Sequence, residues 1–171
     1  MDELEPQDMM HLNAAEGWLG LGDLIEASAE LQQITPAKRM HPAVLEVRHN
    51  LCAQAKCWEE CLVMAEALVA LAPEATFGWI HRSFALHELK RTQEALDRLR
   101  PALTFFKDDI TVHYNLACYE CVLGNLGAAK LRLAAAFKLA RKQNCVGEWQ
   151  AQMSQDPDLK PLWKDGDEIE N

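Results

Sequence analysis

The chain has 171 residues, 49% apolar and 25% charged, which excludes wholesale disorder and a fibrous chain and fits one or two globular domains. Only 8 Gly and 7 Pro favour helix over many short strands, and no run of 18 apolar residues exists to span a membrane. The net charge of −9 is uneven: residues 1–7, 8–41 and 42–75 carry −3 each, 76–109 carry +1, 110–144 carry +4 and 156–171 carry −4, and so modest a basic block beside an acidic tail argues against a nucleic-acid partner.

The chain opens with an acidic tail, residues 1–7, that lacks a basic-then-apolar signal sequence, so a cytoplasmic location is expected. Six cysteines are too sparse for a secreted disulfide scaffold. From Asp8 a repeat takes over. Gly22-Asp23-Leu24 precedes Ala27, and Gly124-Asn125-Leu126 precedes Ala129 after three periods of 34 residues, with the small residues Cys61 and Ala95 between. Four gapless blocks follow: 8–41, 42–75, 76–109 and 110–143. Each predicts two amphipathic helices joined by a short turn, hence antiparallel.

In block one His11, Trp18, Leu24, Leu31 and Ile34 hold the core positions, and Thr35-Pro36 ends the second helix early. Block two places Leu45, Cys52, Trp58, Ala65 and Leu68 there, with Lys56-Cys57 at the turn and Pro73 as terminator. Block three has Trp79, Leu86, Thr92, Leu99 and Ala102, with Lys90-Arg91 at the turn. Its Pro101 removes an amide inside the second helix and predicts a kink or early stop near Arg100. Block four has His113, Glu120, Leu126, Leu133 and Ala136. Ala15, Ala27, Ala95, Ala117 and Ala129 allow close helix approach. Residues 144–155, with Val146, Trp149 and Met153, predict a capping helix. Asp156-Pro157-Asp158 breaks it, Leu159, Leu162 and Trp163 form an anchor up to residue 163, and 164–171 form a flexible acidic tail.

The pattern resembles the tetratricopeptide repeat (TPR) family. The resemblance rests on Trp79, the run Tyr114-Asn115-Leu116-Ala117, the turns at Gly22-Asp23 and Gly124-Asn125, the small residues Ala27, Ala95 and Ala129, and Pro73. It covers residues 8–143 and implies an all-α right-handed solenoid of four antiparallel helix pairs with a C-terminal capping helix. It also implies a non-catalytic module whose first helices line a concave groove for a partner peptide or helix, as in an adapter or co-chaperone.

Beside the core stripe, each first helix carries a second stripe at helical spacing. Block one offers Met9, Leu12, Glu16 and Leu19. Block two offers Glu46 and Asn50 as polar groups. Block three offers Phe77, Ile80, Phe84 and His87, and block four Tyr114, Cys118 and Cys121. Large apolar groups there call for a cover, since burying one yields roughly 1.5–3 kcal/mol. The cover is a partner protein or peptide, the chain's own 145–163 segment, or a second copy in a homodimer. An export-type chaperone shielding a hydrophobic segment of a secreted protein is the alternative within binding. The lysine and asparagine clamp with which some TPR proteins grip chaperone C-termini is not supplied by the matching positions.

Cys118 and Cys121, with His87 one block earlier, raise a thiol or metal alternative, but no second close cysteine pair completes a zinc set. No phosphate-binding glycine loop, nucleophile elbow or HExxH is present, so no enzyme, metal or cofactor is expected.

Overall fold

The computed structural model describes residues 3–163; the flexible tail expected over 164–171 lies outside them, as do the first two residues. Every regular element among the described residues is helical, and no helix is long and apolar enough to cross a membrane. The α-helices run α1 (Pro6–Gly20), α2 (Leu24–Gln33), α3 (Pro42–Gln54), α4 (Trp58–Leu71), α5 (Thr76–Glu88), α6 (Thr92–Leu99), α7 (Ile110–Val122), α8 (Leu126–Lys142), α9 (Val146–Gln155) and α10 (Lys160–Trp163). Short 3-10 turns stand at Pro36–Lys38, Arg100–Thr104 and Pro157–Leu159. The first follows the early end of α2, and the second replaces helix where Pro101 withholds its amide.

Local chemistry starts these helices. Pro6 and Pro42 stand in the first turns of α1 and α3, where a missing amide costs nothing. The Asp23 carboxylate accepts from the Glu26 amide at 3.1 Å and opens α2; Asp109 does the same for α7 through Val112 at 3.0 Å.

One turn geometry recurs. Gly22, Lys56, Lys90 and Gly124 all have positive φ, between 58° and 83°, and stand 34 residues apart. Each is followed by a residue whose amide reaches back to the preceding helix: Asp23 to Trp18 O, Cys57 to Cys52 O, Arg91 to Leu86 O and Asn125 to Glu120 O, at 2.8–2.9 Å. This bond closes a helix end through one left-handed residue. The two lysines adopt, despite a Cβ, the conformation that glycine takes freely.

The chain divides into two compact units, one ending at Ala85 and the other beginning at Leu86. In the first, α1 packs on α2 and α3 on α4. Leu12, Ala15, Leu19, Ala27, Leu31, Ile34, Val44 and Val47 form its buried cluster. The buried Asp8 carboxylate accepts from the Thr35 amide at 2.8 Å, tying the start of α1 to the end of α2. Gly78 lets α5 lie against α4, since a Cβ there would stand 2.8 Å from the Val69 amide nitrogen. Trp79 donates its indole N–H to Pro73 O at 3.0 Å, with the Arg82 guanidinium 5.0 Å from its ring.

In the second unit α7 and α8 form the main pair. Ala117, Ala129, Ala136 and Ala140 are fully buried between apolar neighbours such as Leu116 and Leu133. Glu120, expected as a core position, is buried but satisfied by Arg100 at 3.2 Å and Asn125 at 2.8 Å. Two other expected core positions differ. Trp18 is exposed, and His11 spends its polarity on Glu30 at 2.7 Å.

Candidate functional site

The second stripe meets a different fate in each unit. In the first, Leu12 and Leu19 are buried, which corrects their place in the stripe: α2 and α3 both pack against α1 and draw them into the core. Met9 and Glu16 stay exposed. Glu46 on α3 is half-buried. Its pKa is raised, first by desolvation and then by the Glu16 charge across on α1. Asn50, one turn on, is exposed.

On α5, Phe77 and Ile80 are half-buried and Phe84 is 38% exposed. Phe84 meets the Trp58 ring edge-on, centroids 5.6 Å apart. Phe77 belongs to an aromatic knot instead: its ring lies 4.0 Å from His81 and 5.4 Å from His49. Burial holds both imidazoles neutral. His81 falls to about 4, by desolvation and then the nearby His49; His49 also falls, by desolvation against an opposing bond from Asn50. Sequence reading missed this knot, although His49, Phe77 and His81 carry its signal.

In the second unit the stripe is closed by the chain itself. Tyr114, Cys118 and Cys121 are 6%, 4% and 2% exposed, respectively. The Tyr114 hydroxyl donates to Asp156, and its ring meets Trp149 of α9 edge-on at 5.3 Å. The Cys118 thiol donates to the same carboxylate at 3.6 Å. His87 bonds through Nε2 to Asp158 at 3.0 Å and through Nδ1 to Thr92 at 3.0 Å, with Tyr119 tilted against its ring at 5.1 Å. Leu159 is fully buried and Leu162 nearly so. The 146–163 segment thus occupies this stripe, its apolar groups inward and its acids on the polar groups of α5 and α7. The expectation that His87, Tyr114, Cys118 and Cys121 face a partner is corrected on that ground. Asp156 also accepts from the Asp158 amide at 2.8 Å, so the Asp-Pro-Asp break is a built turn. The sequence offers the 145–163 segment as one candidate cover, but not the contacts of Asp156 and Asp158 with Tyr114, Cys118 and His87.

The same geometry lends the thiol and metal alternative no support: both nitrogens of His87 are engaged by Thr92 and Asp158, and burial raises the pKa of Cys118 and Cys121. Cys61, fully buried, is pushed up to about 12, chiefly by desolvation. Cys52, expected in the core, is half-buried, and desolvation raises it too.

Paired helices, the recurring left-handed turn and the terminal helix define the tetratricopeptide repeat fold. Solved structures with this architecture are similar to the chain. A thermophilic TPR protein of Thermus thermophilus is 18% identical with a TM-score of 0.67, and 92% of this chain covers 93% of that one. MamA of Desulfovibrio magneticus RS-1 is 13% identical with a TM-score of 0.69, covering 95% and 99%. YrrB, a TPR protein with an unusual peptide-binding site, is 16% identical with a TM-score of 0.63, covering 86% and 78%. No protein-family model matches the chain, and no curated protein matches it in sequence.

Proposed function

We propose that the chain is a non-catalytic protein-binding module, adapter-like, that takes a partner segment on the first-helix stripe of its first unit. The observation that carries this reading is the contrast in cover. The second unit's stripe is filled by residues 146–163, whereas Phe84, Asn50 and Met9 remain in water. Phe84 and Ile80 supply an apolar anchor. Glu46 and Glu16 supply two carboxylates, and the pKa of Glu46 is raised by desolvation and then by the Glu16 charge. A cation placed between them relieves that repulsion, so the partner chemistry that fits is a peptide with an apolar side chain beside Lys or Arg.

A peptide array varying apolar and basic positions tests it. Peptides carrying both bind the native chain. Phe84→Asp and Glu16→Gln/Glu46→Gln each weaken them by tenfold or more, about 1.4 kcal/mol, with helicity unchanged. Equal binding by acidic peptides, or no loss in either variant, would refute the reading.

A further inference from the structure

A separate pair of surfaces, on the second helices, is matched in charge. α2 and α4 carry five glutamates, Glu26, Glu30, Glu59, Glu60 and Glu66, and no lysine or arginine. α8 carries Lys130, Arg132, Lys138, Arg141 and Lys142 and no acidic residue. Surface helices commonly mix signs and form pairs along their own length. Here none of Glu26, Glu59, Glu60, Glu66, Arg132, Lys138, Arg141 or Lys142 has an ion-pair partner among the described residues.

The shapes match as well. Between α2 and α4, over α3, lies a cleft of about 580 Å³. Leu31, Leu51, Val63 and Met64 line it apolarly, with Glu59 and Glu60 beside them and Arg48 as the one cation in the lining. Val63 is 67% exposed, and Ile25 on α2 is exposed too. On α8 the exposed stripe runs Lys130, Leu131, Ala134, Lys138 and Arg141, and Leu131 is 75% exposed. That stripe is a knob flanked by positive charge; the cleft is an apolar hole edged by negative charge. At about 1.5 Å per residue, α8 is roughly 26 Å long and α4 roughly 21 Å, so one helix spans the other.

We propose that the cleft between α2 and α4 receives α8 of a second copy of this chain, Leu131 entering the apolar floor and the basic residues pairing with Glu59, Glu60 and Glu66. Every copy carries one cleft and one α8, so the contact is heterologous, a different surface on each side. It uses the second helices and leaves the first-helix stripe of the proposed function free. An interface of one helix in one cleft is at the small end for protein pairs, so association is weak and screened by salt.

Sedimentation velocity on the full chain tests this. At about 0.05 M salt the average mass rises with concentration above 19.3 kDa, and at about 0.5 M it returns to that value. Glu59→Lys/Glu60→Lys and Lys138→Glu/Arg141→Glu each stay monomeric alone, because each sets like charges against like. Mixed one to one they associate again, since each supplies the surface that the other has reversed. Circular dichroism confirms that both fold, and the salt series on the native chain needs neither. A native chain of 19.3 kDa at every concentration in low salt would overturn the proposal. So would association of either variant alone at the native strength, or a mixture no heavier than its parts.

Discussion

The first-helix stripes of the two units begin from one 34-residue plan and end differently. In the second, α7 presents Tyr114, Cys118 and Cys121, and the segment after α8 folds back over them with Trp149, Asp156, Leu159 and Leu162. In the first, α5 presents Phe84, which meets Trp58 on one side and water on the other. Both stripes carry apolar side chains. What separates a surface from a core here is the chain that follows, which only the second unit lays over its own stripe.

Truncation should separate the two regions most. Leu159→Ala removes a fully buried side chain from the cover and should destabilise the second unit by about 2–5 kcal/mol, whereas Phe84→Ala, at a partly wet position, should cost the first well under half of that. Urea unfolding followed by hydrogen exchange, resolved by unit, checks both. Equal costs would erase the distinction.

Acid should act on the first unit next. Its His81 holds out to about pH 4 against a proton that the unfolded chain accepts near 6.5, and His49 is shifted the same way. The unfolded state therefore binds more protons below neutrality. Stability is complete above pH 6.5 and falls on the way to pH 4, by up to about 3 kcal/mol from His81. His81→Phe should flatten that slope in urea midpoints taken from pH 7 to 4.5. An unchanged slope would mean that the knot admits water.

The smallest effect lies at the turns that the two middle repeats share with their neighbours. Lys56→Gly and Lys90→Gly should each raise stability by up to about 1 kcal/mol, because glycine meets positive φ without strain and loses part of the gain to unfolded-state entropy. Thermal melts resolve this, and Gly22→Lys should move them the other way.

Much of the architecture was legible because a repeat multiplies weak local signals. Gly22-Asp23 and Gly124-Asn125 fixed the period, Pro73 and Pro101 marked where helices end, and the alanines marked close approach. Charge pairing across helices was not legible. Asp8 reaches Thr35, 27 residues on, and Asp156 reaches back 42 residues to Tyr114. No periodicity encodes partners so far apart. Helical spacing grouped the stripe residues, but spacing cannot say which of them stay wet: Leu12, Leu19, Tyr114, Cys118 and Cys121 are buried, whereas Met9, Asn50 and Phe84 are not. That depended on how tightly Leu12 and Leu19 were drawn inward, and on whether residues after Asp156 turned back or trailed away.

The six cysteines are distributed as if to time the two units separately. Cys52, Cys57 and Cys145 are half-buried, whereas Cys61 in the first unit and Cys118 and Cys121 in the second are buried. A brief pulse of a thiol-alkylating reagent would mark Cys57 and Cys145 first, Cys52 more slowly because burial raises its pKa, and the buried three only as each unit opens. Peptide mass mapping then gives two opening rates from the unaltered chain, with no engineered reporter.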